Sequence, residues 1–296
     1  MVSILVPIYN TDVRSFIKEL LEQLQTNAVE GEVLCIDDCS PLEEIKVLNR
    51  QLSALEGVTY LELDENIGRS KIRNLLAKSA THNWLLFVDG DSSVSEGLYL
   101  KNYLLQINNT KQVCYGGTSY GSKPTNKELY LHWFYGSQRE IVPIAKRKAN
   151  PFGTFKTNNF FAHKSIFERM QFNESLKGYG HEDTLFAKDL ERNGFTILHM
   201  ENPLQHDGLE VNTLFLAKQY NAIKNLAELY KQGLVGNEIR LINFYNKIKK
   251  TGMGFLVKRF YLRDQDLLKE NLLSDKPKLT NLDRLKLGWF VSMIND

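Results

Sequence analysis

Two aspartates separated by one glycine, Asp89-Gly90-Asp91, close the apolar run Trp84-Leu85-Leu86-Phe87-Val88. Carboxylate oxygens suit hard divalent cations such as Mg2+ or Mn2+, which proteins hold through one or two acids while substrate phosphates supply further ligands. A solvated turn after a core strand is the other reading, since aspartate and glycine are common turn residues. A second run, Leu34-Cys35-Ile36, also ends in acids, Asp37-Asp38, followed by Cys39-Ser40-Pro41. Beside Pro7-Ile8-Tyr9-Asn10, these could stack a flat base and accept hydrogen bonds from its N–H groups or from a ribose hydroxyl. Asp38 or Ser40 could instead cap the helix that follows.

Asn66-Ile67-Gly68-Arg69-Ser70-Lys71-Ile72-Arg73-Asn74 places Arg69 and Arg73 one helical turn apart. Two guanidinium groups so spaced could meet phosphate oxygens, although ordinary surface arginines carry the same letters. Further on, Gly178-Tyr179-Gly180-His181-Glu182-Asp183 leads a loop into a helix whose first turn is acidic. The helix dipole favours acids there. A carboxylate at that spot could equally deprotonate a sugar hydroxyl, with Tyr179 as a flat platform for the ring. His206, in Pro203-Leu204-Gln205-His206-Asp207-Gly208, lies just past an expected strand. It is either a structural histidine or the imidazole that completes a metal site.

The elements that must position these residues follow from periodicity. Strands at 2–6, 33–36, 58–63 and 84–88 alternate with helices at 13–24, 42–55 and 70–79, the pattern of a parallel sheet. Ligands of such sheets bind beyond the carboxyl ends of the strands, where the acidic motifs fall. A dinucleotide fold needs a glycine-rich turn after its first strand; Pro7-Ile8-Tyr9-Asn10 has none, which disfavours a nicotinamide or flavin enzyme. Residues 112–167 are irregular and aromatic-rich, with strands at 113–115 and 159–162. The stretch 130–151, with Lys146-Arg147-Lys148, reads as a flap over a site or as an exposed basic loop. A helix at 183–193 and a strand at 196–200 precede helices at 212–232, 238–250, 256–261 and 281–294. The last carries Leu282, Leu285, Leu287, Phe290, Val291 and Ile294, and either packs on its own domain or lies on a membrane interface.

With 296 residues and 43% hydrophobic content, the chain fits one large domain, 1–210, with an appendage, 211–296. No apolar run approaches a membrane span. The N-terminus enters a strand with no signal-peptide pattern, and three cysteines without a CxxC pair read as reduced thiols of a cytoplasmic protein. The net charge of +2 hides an asymmetry: residues 211–296 hold 15 Lys and Arg against 8 Asp and Glu, residues 1–210 hold 22 against 27. A basic appendage suits an anionic membrane surface or an acidic polymer, or is a solvated helical face. Nucleic acid is not expected as a partner, because the basic residues form no continuous patch interleaved with aromatics.

In their order, the motifs Val6-Pro7-Ile8-Tyr9-Asn10, Ile36-Asp37-Asp38-Cys39-Ser40, Asn66-Ile67-Gly68 with Arg73-Asn74, Asp89-Gly90-Asp91, and the 178–183 loop with His206 resemble the family 2 glycosyltransferases. The resemblance covers roughly residues 1–210. The 178–183 loop also looks like the Gly-Trp-Gly-x-Glu-Asp loop of β-galactosyl- and N-acetylgalactosaminyltransferases, with Tyr179 in place of tryptophan. Cys39 stands where the Asp-Asp-Gly-Ser motif usually has glycine.

The resemblance implies an α/β GT-A fold: a Rossmann-like, mostly parallel central sheet flanked by helices, here with a C-terminal helical extension. It implies that Pro7, Tyr9 and Asp38 hold base and ribose, with Asn66 and Arg73 near the nucleotide. Asp89 and Asp91 form the DxD motif, Asp91 and His206 ligate Mn2+ or Mg2+, Asp183 is the catalytic base and Glu182 orients the acceptor. The implied reaction is inverting transfer of a hexose or N-acetylhexosamine from a nucleotide-diphosphate sugar, UDP-linked, to a glycan or lipid-linked oligosaccharide. The implied setting is surface polysaccharide synthesis by a cytoplasmic enzyme; apart from the resemblance, the basic C-terminal helices leave open a peripheral contact with the inner face of the membrane. Two rivals stand beside it. A sugar nucleotidyltransferase would carry a glycine-rich basic loop after the first strand, absent here; against a non-catalytic carbohydrate-binding relative stands the intact set Asp89, Asp91, Asp183 and His206.

Overall fold

Alternation along β1 (Val2–Ile8) sets the architecture: Val2, Ile4, Val6 and Ile8 enter one hydrophobic cluster and Leu5 enters another. Successive side chains point to opposite faces of a strand, so an unbroken apolar run is a strand covered on both sides. In the computed structural model, which describes residues 1–94, 97–176 and 178–295, the remaining strands are β2 (Gly31–Asp37), β3 (Val58–Glu62), β4 (Trp84–Val88), β5 (Ser92–Val94), β6 (Gln112–Tyr115), β7 (Thr118–Tyr120), β8 (Asn159–His163), β9 (Thr196–His199) and β10 (Leu204–His206). Seven form one sheet in the order β3-β2-β1-β4-β8-β6-β9, and three form a small sheet, β5-β10-β7. The large sheet is mostly parallel, as expected; β8 runs antiparallel to both β4 and β6.

One face of the sheet is covered by Phe16, Ile17, Leu20 and Leu24 of the helix Arg14–Thr26, joined by Tyr99, Leu100 and Tyr103. The other takes Ile72 and Leu76 from the helix Arg69–Ser79 and Phe186 and Leu190 from the helix Glu182–Arg192. The helix expected at 42–55 is shorter: Glu43–Arg50, continued by a 3-10 turn, Gln51–Ala54.

The chain divides into two compact units. The first comprises Met1–Gly121, Glu140–Leu176 and Glu182–Gly208 and holds both sheets. The second gathers Ser122–Arg139, Lys177–His181 and Leu209–Asp296, with long helices Asn212–Lys231, Arg240–Lys250, Gly254–Leu272 and Leu279–Asn295. The helix expected at 256–261 is therefore about three times longer. Of the two readings of the last helix, packing holds: Leu282, Leu285, Phe290 and Val291 are buried, and Phe290 meets the rings of Tyr230 and Tyr245. Among the described residues no helix is long and apolar enough to cross a membrane.

Residues 130–151, with Lys146 and Lys148 exposed, are largely helical where a loop was one expectation. They form the helix Tyr130–Tyr135, a π-helical turn Gly136–Glu140 and the helix Ile144–Ala149. Arg147 is buried within the first unit. It donates from Nε to the Val142 carbonyl, from Nη1 to that of Tyr115 and from Nη2 to that of Met200. Its fork of donors lets one buried side chain bind carbonyls from three segments of the chain.

Candidate active site

Three strand ends converge. After β1, Asn10 turns with φ 53°, and its amide donates to Ser40 Oγ at 2.7 Å. After β2, Asp37 is fully buried and accepts from the Ser40 amide at 2.6 Å and the Ser40 hydroxyl at 2.8 Å. Asp38 points elsewhere: its Oδ1 accepts from the Ile67 amide at 2.7 Å and its Oδ2 from the Gly68 amide at 3.0 Å. Asn66 Nδ2 donates to the Asp38 carbonyl. The helix Glu43–Arg50 has no side-chain cap, so neither Asp38 nor Ser40 serves as one. Burial raises the pKa of Asp38 above the ordinary carboxylate value, the two amides oppose the rise, and the charge of Asp37 adds to it. Tyr9 stands 53% exposed beside this cluster, free to stack on a ligand. Cys39 sits at φ 56°, a left-handed conformation that costs a non-glycine residue about 1–2 kcal/mol.

The third end belongs to β4. Gly90 is there for closeness: a Cβ on it would lie 3.0 Å from Val13 Cγ1 and 3.2 Å from the Pro7 carbonyl oxygen. Arg73, 2% exposed, donates from Nη2 to Asp89 Oδ1 at 2.6 Å. Its Nη1 lies 3.9 Å from Glu182 Oε1, and Arg69 Nη1 lies 3.6 Å from the same oxygen. The arginine pair thus joins Asp89 to Glu182, a residue far along the chain.

Asp91 and His206 meet through the small sheet. In the register of that sheet His206 opposes Ser92 on β5 and Tyr120 on β7, which brings His206 Nδ1 within 3.4 Å of Asp91 Oδ1. The Asp91 carbonyl accepts from the amides of Asp207 and Gly208, and the Tyr120 ring stands edge-on to His206. Burial disfavours a charged imidazole, but the hydrogen bond and charge of Asp91, with Glu140 and Asp89 beyond, raise the pKa of His206 to about 9. Asn159 fixes the lead-in to β7 and β10. Fully buried, its Oδ1 accepts from the hydroxyls of Tyr99 and Tyr103, and its Nδ2 donates to the carbonyls of Gly117 and Asn202.

Asp183 opens the helix Glu182–Arg192. Its Oδ1 accepts from the Thr184 amide, and its Oδ2 lies 2.7 Å from Lys156 Nζ. Tyr179, just ahead in the chain, belongs to the second unit, where Asn225 Nδ2 donates to its carbonyl.

Asp91 and His206 offer one carboxylate and one imidazole, a donor set that suits Mn2+ or Mg2+ when substrate phosphates complete the shell. Among the described residues no group of three or more His, Cys, Asp and Glu is arranged to hold an ion.

Sequence reasoning misses Lys156, Asn159, Tyr120 and Glu140. The Tyr120 hydroxyl donates to Glu140, yet the two are twenty residues apart with no motif between them. The three strands of the small sheet are three residues each, too short to show a period.

Comparison with known proteins matches a model of Glycosyl transferase family 2 to residues 3–176. A poly(ribitol-phosphate) beta-glucosyltransferase of Bacillus spizizenii is 31% identical over 119 residues, 39% of this chain and 18% of its own length. The poly(ribitol-phosphate) beta-N-acetylglucosaminyltransferase TarS of Staphylococcus aureus is 33% identical over 98 residues, 32% of this chain and 17% of its own. The matched stretches therefore span less than a fifth of these relatives. Residues 1–349 of S. aureus TarS superimpose with a TM-score of 0.51 at 18% identity, over 99% of this chain and 90% of that one. The mannosyltransferase PcManGT from Pyrobaculum calidifontis, solved in complex with GDP-Man and Mn2+, does so with a TM-score of 0.60 at 14% identity, over 99% and 85%. Both likenesses are likenesses of fold.

Proposed function

Since the chain belongs to glycosyl transferase family 2 and has the GT-A fold, we propose that it transfers a hexose or N-acetylhexosamine from a nucleotide-diphosphate sugar, UDP-linked, to a hydroxyl of a glycan or lipid-linked acceptor. Catalysis is assigned to residues 1–210, with 211–296 as an extension. One observation carries the reading: Arg73 lies 2.6 Å from Asp89 and 3.9 Å from Glu182, so a donor-side acid and an acceptor-side acid share one guanidinium.

On this reading Tyr9 and Pro7 contact the base, while Asp38 shapes the ribose side through its hold on the loop at 66–68. Arg73 keeps Asp89 aimed through the contact at 2.6 Å, with Asn66 near the nucleotide. Asp91 and His206 would hold Mn2+ or Mg2+ with the diphosphate; such an ion, when bound, offsets the charge that builds on the leaving group. Glu182 orients the acceptor and Asp183 takes the proton of its attacking hydroxyl. The new carbon–oxygen bond forms opposite the breaking bond to the diphosphate, so configuration inverts. Relatives named for poly(ribitol-phosphate) make a phosphate-bearing polyol polymer the first acceptor to try, in keeping with surface polysaccharide synthesis at the cytoplasmic side.

The test is release of nucleoside diphosphate from a panel of nucleotide-sugars, with Mn2+ or with a chelator, in the presence of poly(ribitol phosphate) or oligosaccharide. Wild type is expected to turn over one donor with metal, and Asp91→Ala to lose that turnover. Pyrophosphate release from a nucleoside triphosphate and a sugar 1-phosphate would overturn the reading.

A further inference from the structure

The basic surplus of the C-terminal region sits in one place. Residues 240–263 carry seven Lys and Arg (Arg240, Lys247, Lys249, Lys250, Lys258, Arg259 and Arg263) and no acid. The rest of 211–296 holds eight basic and eight acidic residues and is neutral. The expectation that basic residues form no patch interleaved with aromatics is thereby corrected.

The same stretch breaks the rule that large apolar side chains turn inward. Phe244, Met253, Phe255, Phe260 and Leu262 are each at least half exposed, Phe255 to 67%. Scattered exposed hydrophobics are ordinary; five within nineteen residues, in a segment without a single carboxylate, are not. Geometry gathers them. The helix Arg240–Lys250 ends in Lys249-Lys250, the chain turns at Gly252 with φ 71°, and the helix Gly254–Leu272 begins one residue after Met253. Met253 and Phe255 therefore stand at the corner between two consecutive helices whose adjoining ends carry the lysines. On the second helix, Phe255 and Leu262 are seven residues apart, and so share a face. Its buried residues, Leu268 and Leu272, lie at the far end. Arg263 lies over the Phe260 ring at 5.0 Å while its guanidinium pairs with Asp264, Nε to Oδ1 at 2.6 Å, so it adds apolar stem to the surface and its charge is matched.

We propose that this helix corner is a membrane-docking site: it seats Met253 and Phe255 in the interface of a bilayer bearing anionic lipids, with Lys247, Lys249, Lys250 and Arg259 against the headgroups. The occupant follows from charge complementarity combined with exposed apolar side chains, since a soluble polyanion would use the charges and leave Phe255 in water. The last helix, buried among its neighbours, takes no part. This inference goes beyond the transfer reaction and does not depend on it.

The test is co-sedimentation of the full chain with vesicles of phosphatidylcholine alone or with about 30% phosphatidylglycerol, at low and high salt. Binding is expected only to the anionic vesicles. It should weaken with salt and fall by about fivefold for each charge removed in Lys249→Gln and Lys250→Gln, as about 1 kcal/mol per basic residue at such a surface requires. Phe255→Ser with Met253→Ser should cut binding by about tenfold or more with the thermal midpoint unchanged, because both side chains are exposed. A Phe255→Trp variant should shift its indole emission to the blue on anionic vesicles. Equal binding to soluble polyphosphate or RNA with no change in the emission of the Phe255→Trp variant on vesicles, loss of binding only through unfolding, or burial of the patch in a concentration-dependent dimer would each overturn the proposal.

Discussion

The guanidinium of Arg73 donates to Asp89 Oδ1 at 2.6 Å while its other terminal nitrogen stays 3.9 Å from Glu182. A buried cation shared between two acids is worth more to geometry than to stability, because each charge has lost part of its hydration. Removing it takes the 2.6 Å partner from Asp89, while Glu182 keeps Arg69 at 3.6 Å. Arg73→Met is expected to destabilise the fold by about 2–4 kcal/mol and to abolish turnover. Arg73→Lys should fold better yet raise the KM for donor, since one ammonium cannot fork between two carboxylates. Urea midpoints and donor titrations of both variants check this; a wild-type KM in Arg73→Lys would contradict it.

Asp183 carries the proton transfer in the proposed reaction. Asp183→Asn is expected to lower transfer by about 10²–10⁴ while donor affinity, read by calorimetry, stays within about twofold. Lys156→Met removes the ammonium 2.7 Å from Asp183 Oδ2 and should lower transfer by less. Lys156→Arg should restore part of it, because the pairing is one of charge. Undiminished turnover in Asp183→Asn would remove that residue from its assigned role.

Gly208 tests the metal pair without touching a ligand. A Cβ there would come within 2.5 Å of Asp91 Oδ2 and 2.7 Å of Asp91 Cβ, and a Cβ moves only with its backbone, so the turn must shift along with the carboxylate. Gly208→Ala is expected to lower the thermal midpoint by several degrees and to need about tenfold more Mn2+ for half-maximal rate. An unchanged Mn2+ requirement would contradict this.

Acid should loosen the sheet at one identifiable point. Burial favours the neutral form of Glu32, but bonds from the Ser3 hydroxyl and from the Thr81 amide and hydroxyl, with His82 nearby, outweigh it and hold the pKa below the ordinary 4.5. A lowered folded value means stability present above about pH 4.5 and lost as pH falls through the folded value. Glu32→Gln should be less stable than wild type at about pH 7 and converge with it near about pH 3, as urea midpoints at the two pH values would record.

Much of this site is legible because its motifs end long apolar strands, and a run such as Leu85, Leu86, Phe87 and Val88 has one plausible fate. Asp89 and Asp91 can be placed from such runs alone, whereas Arg73, inside the helix Arg69–Ser79, cannot. The lysine facing Asp183 cannot, since Lys156 is an isolated residue in an aromatic stretch and its partner lies 27 positions away. Arg147 misleads for the opposite reason: flanked by Lys146 and Lys148, it looks solvated, and only backbone carbonyls from three segments explain its burial. The helix Gly254–Leu272 reads short in the sequence because it buries few residues, so its apolar positions follow no single face.

The pairing of β10 with β5 has a consequence for synthesis. His206 leaves the ribosome 115 residues after Asp91, a lag of roughly six to twenty seconds at ordinary elongation rates. Through that interval the nascent polypeptide carries an acidic turn with no imidazole to face it. A truncated product ending between residues 200 and 205 would own all seven strands of the large sheet and still lack the imidazole that lies beside Asp91.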